Sequence, residues 1–142
     1  MKRLKTISVI LIIFLMAVTS STAKAQEDVK IIVNASNPVS TMTRTDLIQI
    51  FKGTKSSWSD GSKITLVVQE KELPGFYELI DTPKRKFDKH WITVTLSGKA
   101  NAPKYVSGDA ACIQYVRTVQ NSIGFVSSGV SLSEVKEVKI IR

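Results

Sequence analysis

The chain has 142 residues, with 20 Lys and Arg against 12 Asp and Glu and a formal net charge of +8. That length suits one domain with a core of its own, and the single cysteine, Cys112, excludes an internal disulfide and a cysteine-based metal site. The basic total does not by itself imply nucleic acid, because part of it belongs to a leader.

Residues 1–5 include Lys2, Arg3 and Lys5, and residues 7–18 form an apolar run. Ala23-Lys24-Ala25 then places small residues at −3 and −1 of a cut after Ala25, completing the pattern of a secretory signal peptide. We therefore expect residues 1–25 to be a cleaved signal peptide and 26–142 a single domain in the periplasm or outside the cell. Lys2, Arg3, Lys5 and Lys24 leave with the leader and no acid does, which lowers the mature charge to +4. Nucleic acid is then a poor partner. No later apolar run nears the roughly 18 residues of a bilayer span, so no membrane span is expected after cleavage.

Residues 29–33, Val-Lys-Ile-Ile-Val, read as a strand buried on both faces. Asn34-Ala-Ser-Asn-Pro38 ends it, because Pro38 keeps Asn37 out of the helical region. A helix should start at Thr43 as N-cap, with Asp46 in the capping-box position, Leu47, Ile50 and Phe51 on one face, and Gly53 as its stop. Residues 54–63 are a polar loop and 64–68 a second strand. Pro74 opens a short helix with Phe76, Tyr77 and Ile80, and Thr82-Pro83 opens another. In that one Phe87, His90, Trp91 and Val94 make a helical stripe, yet residues 92–96 also alternate as a strand would. Residues 98–106 read as a loop. Ser107 caps a further helix with Cys112, Tyr115, Val116 and Val119 on one face, and 123–126 and 138–141 read as closing strands. Alternating strands and helices make the class α/β.

Four separated signals have a familiar order. They are Asn37-Pro38, Leu47-x-x-Ile50-Phe51-x-Gly53, Trp58-x-Asp60-Gly61 before a strand ending at Val68, and Ser122-Ile123-Gly124-Phe125-Val126. Over 29–141 the chain resembles the phosphate-type substrate-binding proteins of bacterial ABC importers, in the type II periplasmic binding protein superfamily. It is most similar to their short, single-lobe members. The resemblance implies a small mixed sheet flanked by three to four helices, like one lobe of such a receptor. It also implies a binding function, no enzyme activity and no cofactor. The partner is then a small phosphate-like oxyanion or, if the lobe serves as an accessory module, an envelope protein.

The resemblance fails at the chemistry. Family members follow the strand corresponding to 64–68 with a Ser-Gly-Thr-like turn that opens a helix, preceded by an Arg, and its hydroxyls and N–H groups receive phosphate. Here the stretch is Gln69-Glu-Lys-Glu-Leu-Pro-Gly75, with two carboxylates in the approach and one N–H removed by Pro74. Lys71 remains as a point charge.

The candidate ligand-binding residues are therefore Asn34, Ser36, Ser40 and Thr41 in the donor-rich loop after the first strand, Lys71, and Ser107 at a helix start. Each has a plainer reading as a turn, cap or solvated residue, and Asp109 in the same first turn disfavours an anion. His90 is the only histidine and falls on the apolar stripe, which favours a packed or edge side chain over a catalytic one. No ligand set with metal-binding spacing and no nucleophile–base pair is present. Lys84-Arg85-Lys86 with Lys89 form a local basic patch suited to anionic lipid, a polyanion or an acidic partner.

Overall fold

A computed structural model describes residues 29–142. The expected signal peptide and its cleavage point lie outside the described residues. In chain order the elements are β1 (Val29–Asn34), β2 (Thr41–Thr43), α1 (Arg44–Lys52), β3 (Thr65–Gln69) and α2 (Pro74–Leu79). They continue with α3 (Lys84–Leu96), β4 (Lys104–Val106), α4 (Asp109–Thr118), β5 (Ser122–Ser127) and β6 (Val135–Ile141).

One six-stranded sheet has the order β2-β6-β1-β5-β3-β4. β1 is antiparallel to both neighbours, with Ile31 opposite Phe125 and Val138. β3 is parallel to β4 and β5, and β2 is parallel to β6. The fold is thus α/β with a mixed sheet and, among the described residues, four helices.

The strand pattern explains why the sheet is covered on both faces. Side chains alternate along a strand, and Ile31 and Val33 of β1, Leu66 and Val68 of β3, and Ile123 and Phe125 of β5 join the larger core. Leu47, Ile50 and Phe51 of α1, Phe76 and Tyr77 of α2, and Phe87 and Trp91 of α3 complete it. Ile32, Val67 and Val126 face the other way and pack with Cys112 and Val116 of α4. Two-sided burial is why β1 and β3 read as continuous apolar runs. At the centre Phe76 stacks on Phe125 with centroids 3.6 Å apart, and Phe51 meets the edge of Phe76 at 4.8 Å.

The ends of α1 follow local chemistry. Thr43 Oγ1 accepts from the Asp46 N–H at 3.1 Å, and Gly53 at φ 79° closes the helix in the left-handed region. Arg44 donates to the carbonyls of Leu79 and Glu78, tying α1 to the end of α2.

Three sequence expectations change and one open reading is resolved. Residues 92–96 are helical, because Phe87 and Trp91 anchor α3 in the core at i, i+4 and its remaining turns continue outward. Residues 104–106 form a strand, since β3 offers a parallel edge to pair with. Residues 41–43 are likewise a strand, against β6, between the donor-rich loop that was expected to run to Thr41 and the helix that Thr43 caps. Ser107 is not the cap of α4: Gly108 is, in extended backbone and without a side-chain hydrogen bond.

Candidate functional site

Because β3, β4 and β5 are parallel, their carboxyl ends share one end of the sheet. The chain leaves β4 at Val106 and enters α4 at Asp109, so the amino end of α4 lies there as well. This is where ligands of α/β sheets collect, beyond the strand ends and at a helix N-terminus.

Three groups meet at that end. Gln69, the last residue of β3, is fully buried. Its Nε2 donates to Asp109 Oδ1 at 2.7 Å and to the Phe125 carbonyl at 2.9 Å. Asp109 Oδ1 also accepts from the Ser127 N–H at 3.0 Å. Burial raises the Asp109 pKa, but the hydrogen bonds from Gln69 and Ser127, with the charge of Lys71, outweigh it and hold the carboxyl below its ordinary value. A carboxylate in the first turn of α4 is also favoured by the helix dipole. Gln69 Oε1 is buried and has no hydrogen-bond partner among the described residues. The site thus already contains a fixed anion where an external one would approach.

The residues expected to carry a ligand are not brought to one place. Lys71 and Ser107 are exposed and follow the adjacent ends of β3 and β4, whose Gln69 and Val106 are paired. Asn34 lies at the opposite end of the sheet, since its neighbour Val33 pairs with Ile123 at the start of β5. It is buried and its polar atoms are engaged: Nδ2 donates to the Val116 and Arg117 carbonyls, both at 2.9 Å. Oδ1 accepts from the Ser36 N–H and hydroxyl, so Ser36 belongs to the same turn. Ser40 and Thr41 are exposed on the far edge of the sheet, where the Ser40 carbonyl accepts from the Lys139 N–H. Four strand steps separate that edge from β3, roughly 19 Å at the usual spacing.

The remaining charged and aromatic candidates have definite places. His90 is exposed and not packed into the core; its Nε2 lies 2.8 Å from the Lys52 carbonyl at the end of α1. It departs from the expected stripe because Phe87 and Trp91 take the inward positions of α3. Glu70 and Glu72 are both exposed. Lys84 pairs with Asp88 at 2.6 Å, which reduces the basic patch to Arg85, Lys86 and Lys89. No group of His, Cys, Asp and Glu among the described residues is arranged to hold a metal ion, and no described helix is long and apolar enough to cross a membrane. Sequence reasoning missed Gln69, whose signal is a polar side chain at an inward position directly after Val67-Val68.

Known structures share this fold. The chain is similar to a protein from Clostridium perfringens assigned as a phosphate ABC transporter substrate-binding protein and solved with bound phosphate. The TM-score is 0.63 at 18% identity, over 80% of this chain and 44% of that one. An ABC-type phosphate transport receptor from Vibrio cholerae matches with TM-score 0.62 at 23% identity, over 87% of this chain and 53% of that one. PstS from Borrelia burgdorferi gives 0.58 at 12% identity, over 80% and 47%. The chain thus spans about half the length of these receptors and has the fold of one lobe. No protein-family model and no curated protein matches it.

Proposed function

We propose that this protein is an exported solute-binding-like lobe, related to the phosphate receptors of ABC importers, in which the usual phosphate turn is not preserved. The observation that carries this reading is the Asp109 carboxylate. It takes hydrogen bonds from Gln69 and Ser127 at the carboxyl ends of the strands, in the first turn of α4. A fixed carboxylate opposes a second anion there by Coulomb repulsion. Any oxyanion held at this end would then depend on Lys71 and Ser107, which are exposed, and on groups supplied by a partner.

Calorimetric titration of the mature protein with phosphate and sulfate, at low and moderate salt, tests the reading. Weak heats that vanish with salt are expected. Saturable binding that survives salt and disappears in Lys71→Ala would overturn the loss of the phosphate turn, and its disappearance in Ser36→Ala would move the site to the Asn34 end.

A second reading is an accessory module that uses the lobe to hold another envelope protein. It is favoured by α3, where Ile92 and Leu96 are 62% and 83% exposed and Arg85 and Lys89 share their face at helical spacing. Loss of a specific envelope partner on Ile92→Asp would support it.

A further inference from the structure

A concave site lies at the other end of β3. There the end of α1 at Gly53, the entry to β3 and the loop after α3 enclose a cavity of about 340 Å³. Its apolar floor is made by Ile50, Leu66 and Trp91, all buried. Lys55, Lys63 and Lys99 line it together with Ser56, Thr65 and Asn101. The combination of an apolar floor and a few convergent polar groups is what small-molecule pockets share, and the volume lies in their usual range.

The charge balance favours an anion. Lys55 is 3.3 Å from Asp46, a half-exposed pair, while Lys63 and Lys99 have no carboxylate within 4.0 Å among the described residues. Helix ends also attract lysines, which is the plain alternative. Here, however, carbonyls in the last turns of both helices are already engaged by backbone. Gln49 accepts from the Thr54 and Lys55 N–H groups, Ile50 from Gly53, Thr93 from Ser97, Val94 from Lys99 and Thr95 from Gly98. Among the described residues none of the three lysine heads is hydrogen-bonded to one of these carbonyls, and only Lys55 has a side-chain partner, Asp46.

We propose that this cavity binds a small organic anion, with its apolar body against Trp91 and Leu66 and its carboxylate or phosphate group between Lys63 and Lys99. The site is distinct from the strand-end cluster around Asp109 and does not rest on the function proposed above.

Trp58 and Trp91 are the chain's only tryptophans, so the Trp58→Phe variant isolates Trp91 fluorescence. That protein is titrated with phenyl phosphate, benzoate, inorganic phosphate and benzyl alcohol at low salt. Saturable quenching by phenyl phosphate or benzoate is expected, and whichever binds tighter identifies the head group. Lys63→Gln with Lys99→Gln should weaken it about tenfold or more, Ala102→Phe should weaken it by filling the mouth with the lysines intact, and Lys71→Ala should leave it unchanged. Absence of saturation with both aromatic anions in a protein whose circular dichroism is native would overturn the proposal. So would benzyl alcohol or inorganic phosphate binding as tightly as phenyl phosphate, since each lacks one half of the required chemistry.

Discussion

Gln69 Nε2 donates to Asp109 Oδ1 at 2.7 Å, joining the last residue of β3 to the first turn of α4. The same amide nitrogen reaches the Phe125 carbonyl on β5. One side chain therefore fixes three elements at the end of the sheet where a ligand is expected, through its amide NH2 alone, while its Oε1 stays without a hydrogen-bond partner among the described residues. A strand end so occupied is stable but poorly disposed to receive a solute anion.

Removing that link should cost stability, with a definite dependence on pH. Asp109→Ala leaves the Ser127 N–H and part of the Gln69 amide unpaired, a loss of ~1–2 kcal/mol, at the low end because the carboxylate is only partly buried. The folded carboxyl lies below its ordinary value of 3.8. Its contribution is therefore complete above that value and lost as pH falls through the lower, folded value. Urea midpoints of wild type and Asp109→Ala should differ near pH 7 and converge towards about pH 2. A constant difference across that range would contradict the assignment.

Gly124 is required by close approach. A Cβ there would lie 2.8 Å from Cys112 Sγ and 3.3 Å from Val67 Cβ. Gly124→Ala should destabilise by ~1–3 kcal/mol through overpacking between β5 and α4. Cys112→Ala added to it removes the nearest clash, so a double-mutant cycle in urea should give a favourable coupling between the two changes. Additive losses would show that the strain lies elsewhere.

Gly53 and Gly61 allow backbone strain to be separated from packing. Both have positive φ, 79° and 85°. A Cβ at Gly53 meets the Trp91 indole at 2.8 Å, whereas one at Gly61 meets nothing within 4 Å. Gly61→Ala should cost only the left-handed penalty of ~1–2 kcal/mol. Gly53→Ala should cost more and should also shift Trp91 emission, because the ring is held by its Nε1 hydrogen bond to Phe51 and has to move. Equal costs at the two sites would refute the close contact.

Much of this fold is legible residue by residue. The two-sided burial of 29–33, the Thr43–Asp46 cap and the left-handed Gly53 are local signals, and the structure realises each of them. The elements that escaped depend on partners far along the chain. β2 and β4 are three residues each and exist because β6 and β3 present parallel edges. Helical extension of α3 through Leu96 was ambiguous because Thr93, Val94 and Thr95 suit either state, and the anchoring of Phe87 and Trp91 decides it. The site was less legible still. Asn34 and Ser36 looked like donors for a ligand, but Asn34 is spent on α4 carbonyls and Ser36 on Asn34, more than 80 positions from the former. The lysines of the cavity come from the loop after α1, the approach to β3 and the loop after α3, and no local pattern unites them.

Cys112 provides a direct probe of the α4 face. Its thiol is fully buried and donates to the Phe125 carbonyl at 3.5 Å. Burial pushes its pKa up from 9.0 to about 12, with the Asp109 charge adding to the effect and the Phe125 hydrogen bond opposing it. The thiolate is the reactive form, so an aromatic disulfide reagent should modify the native protein only through opening of α4 from the sheet. In denaturant the reaction should become fast. The linkage runs the other way from Asp109: a raised thiol pKa gives stability that is complete below the unfolded value and is lost progressively as pH rises towards the folded value of about 12. Urea midpoints should therefore fall as pH rises above 9.0, and should do so less in Cys112→Ala. Rapid labelling of the native protein near neutral pH, at the rate of the unfolded chain, would show that α4 does not seal this face.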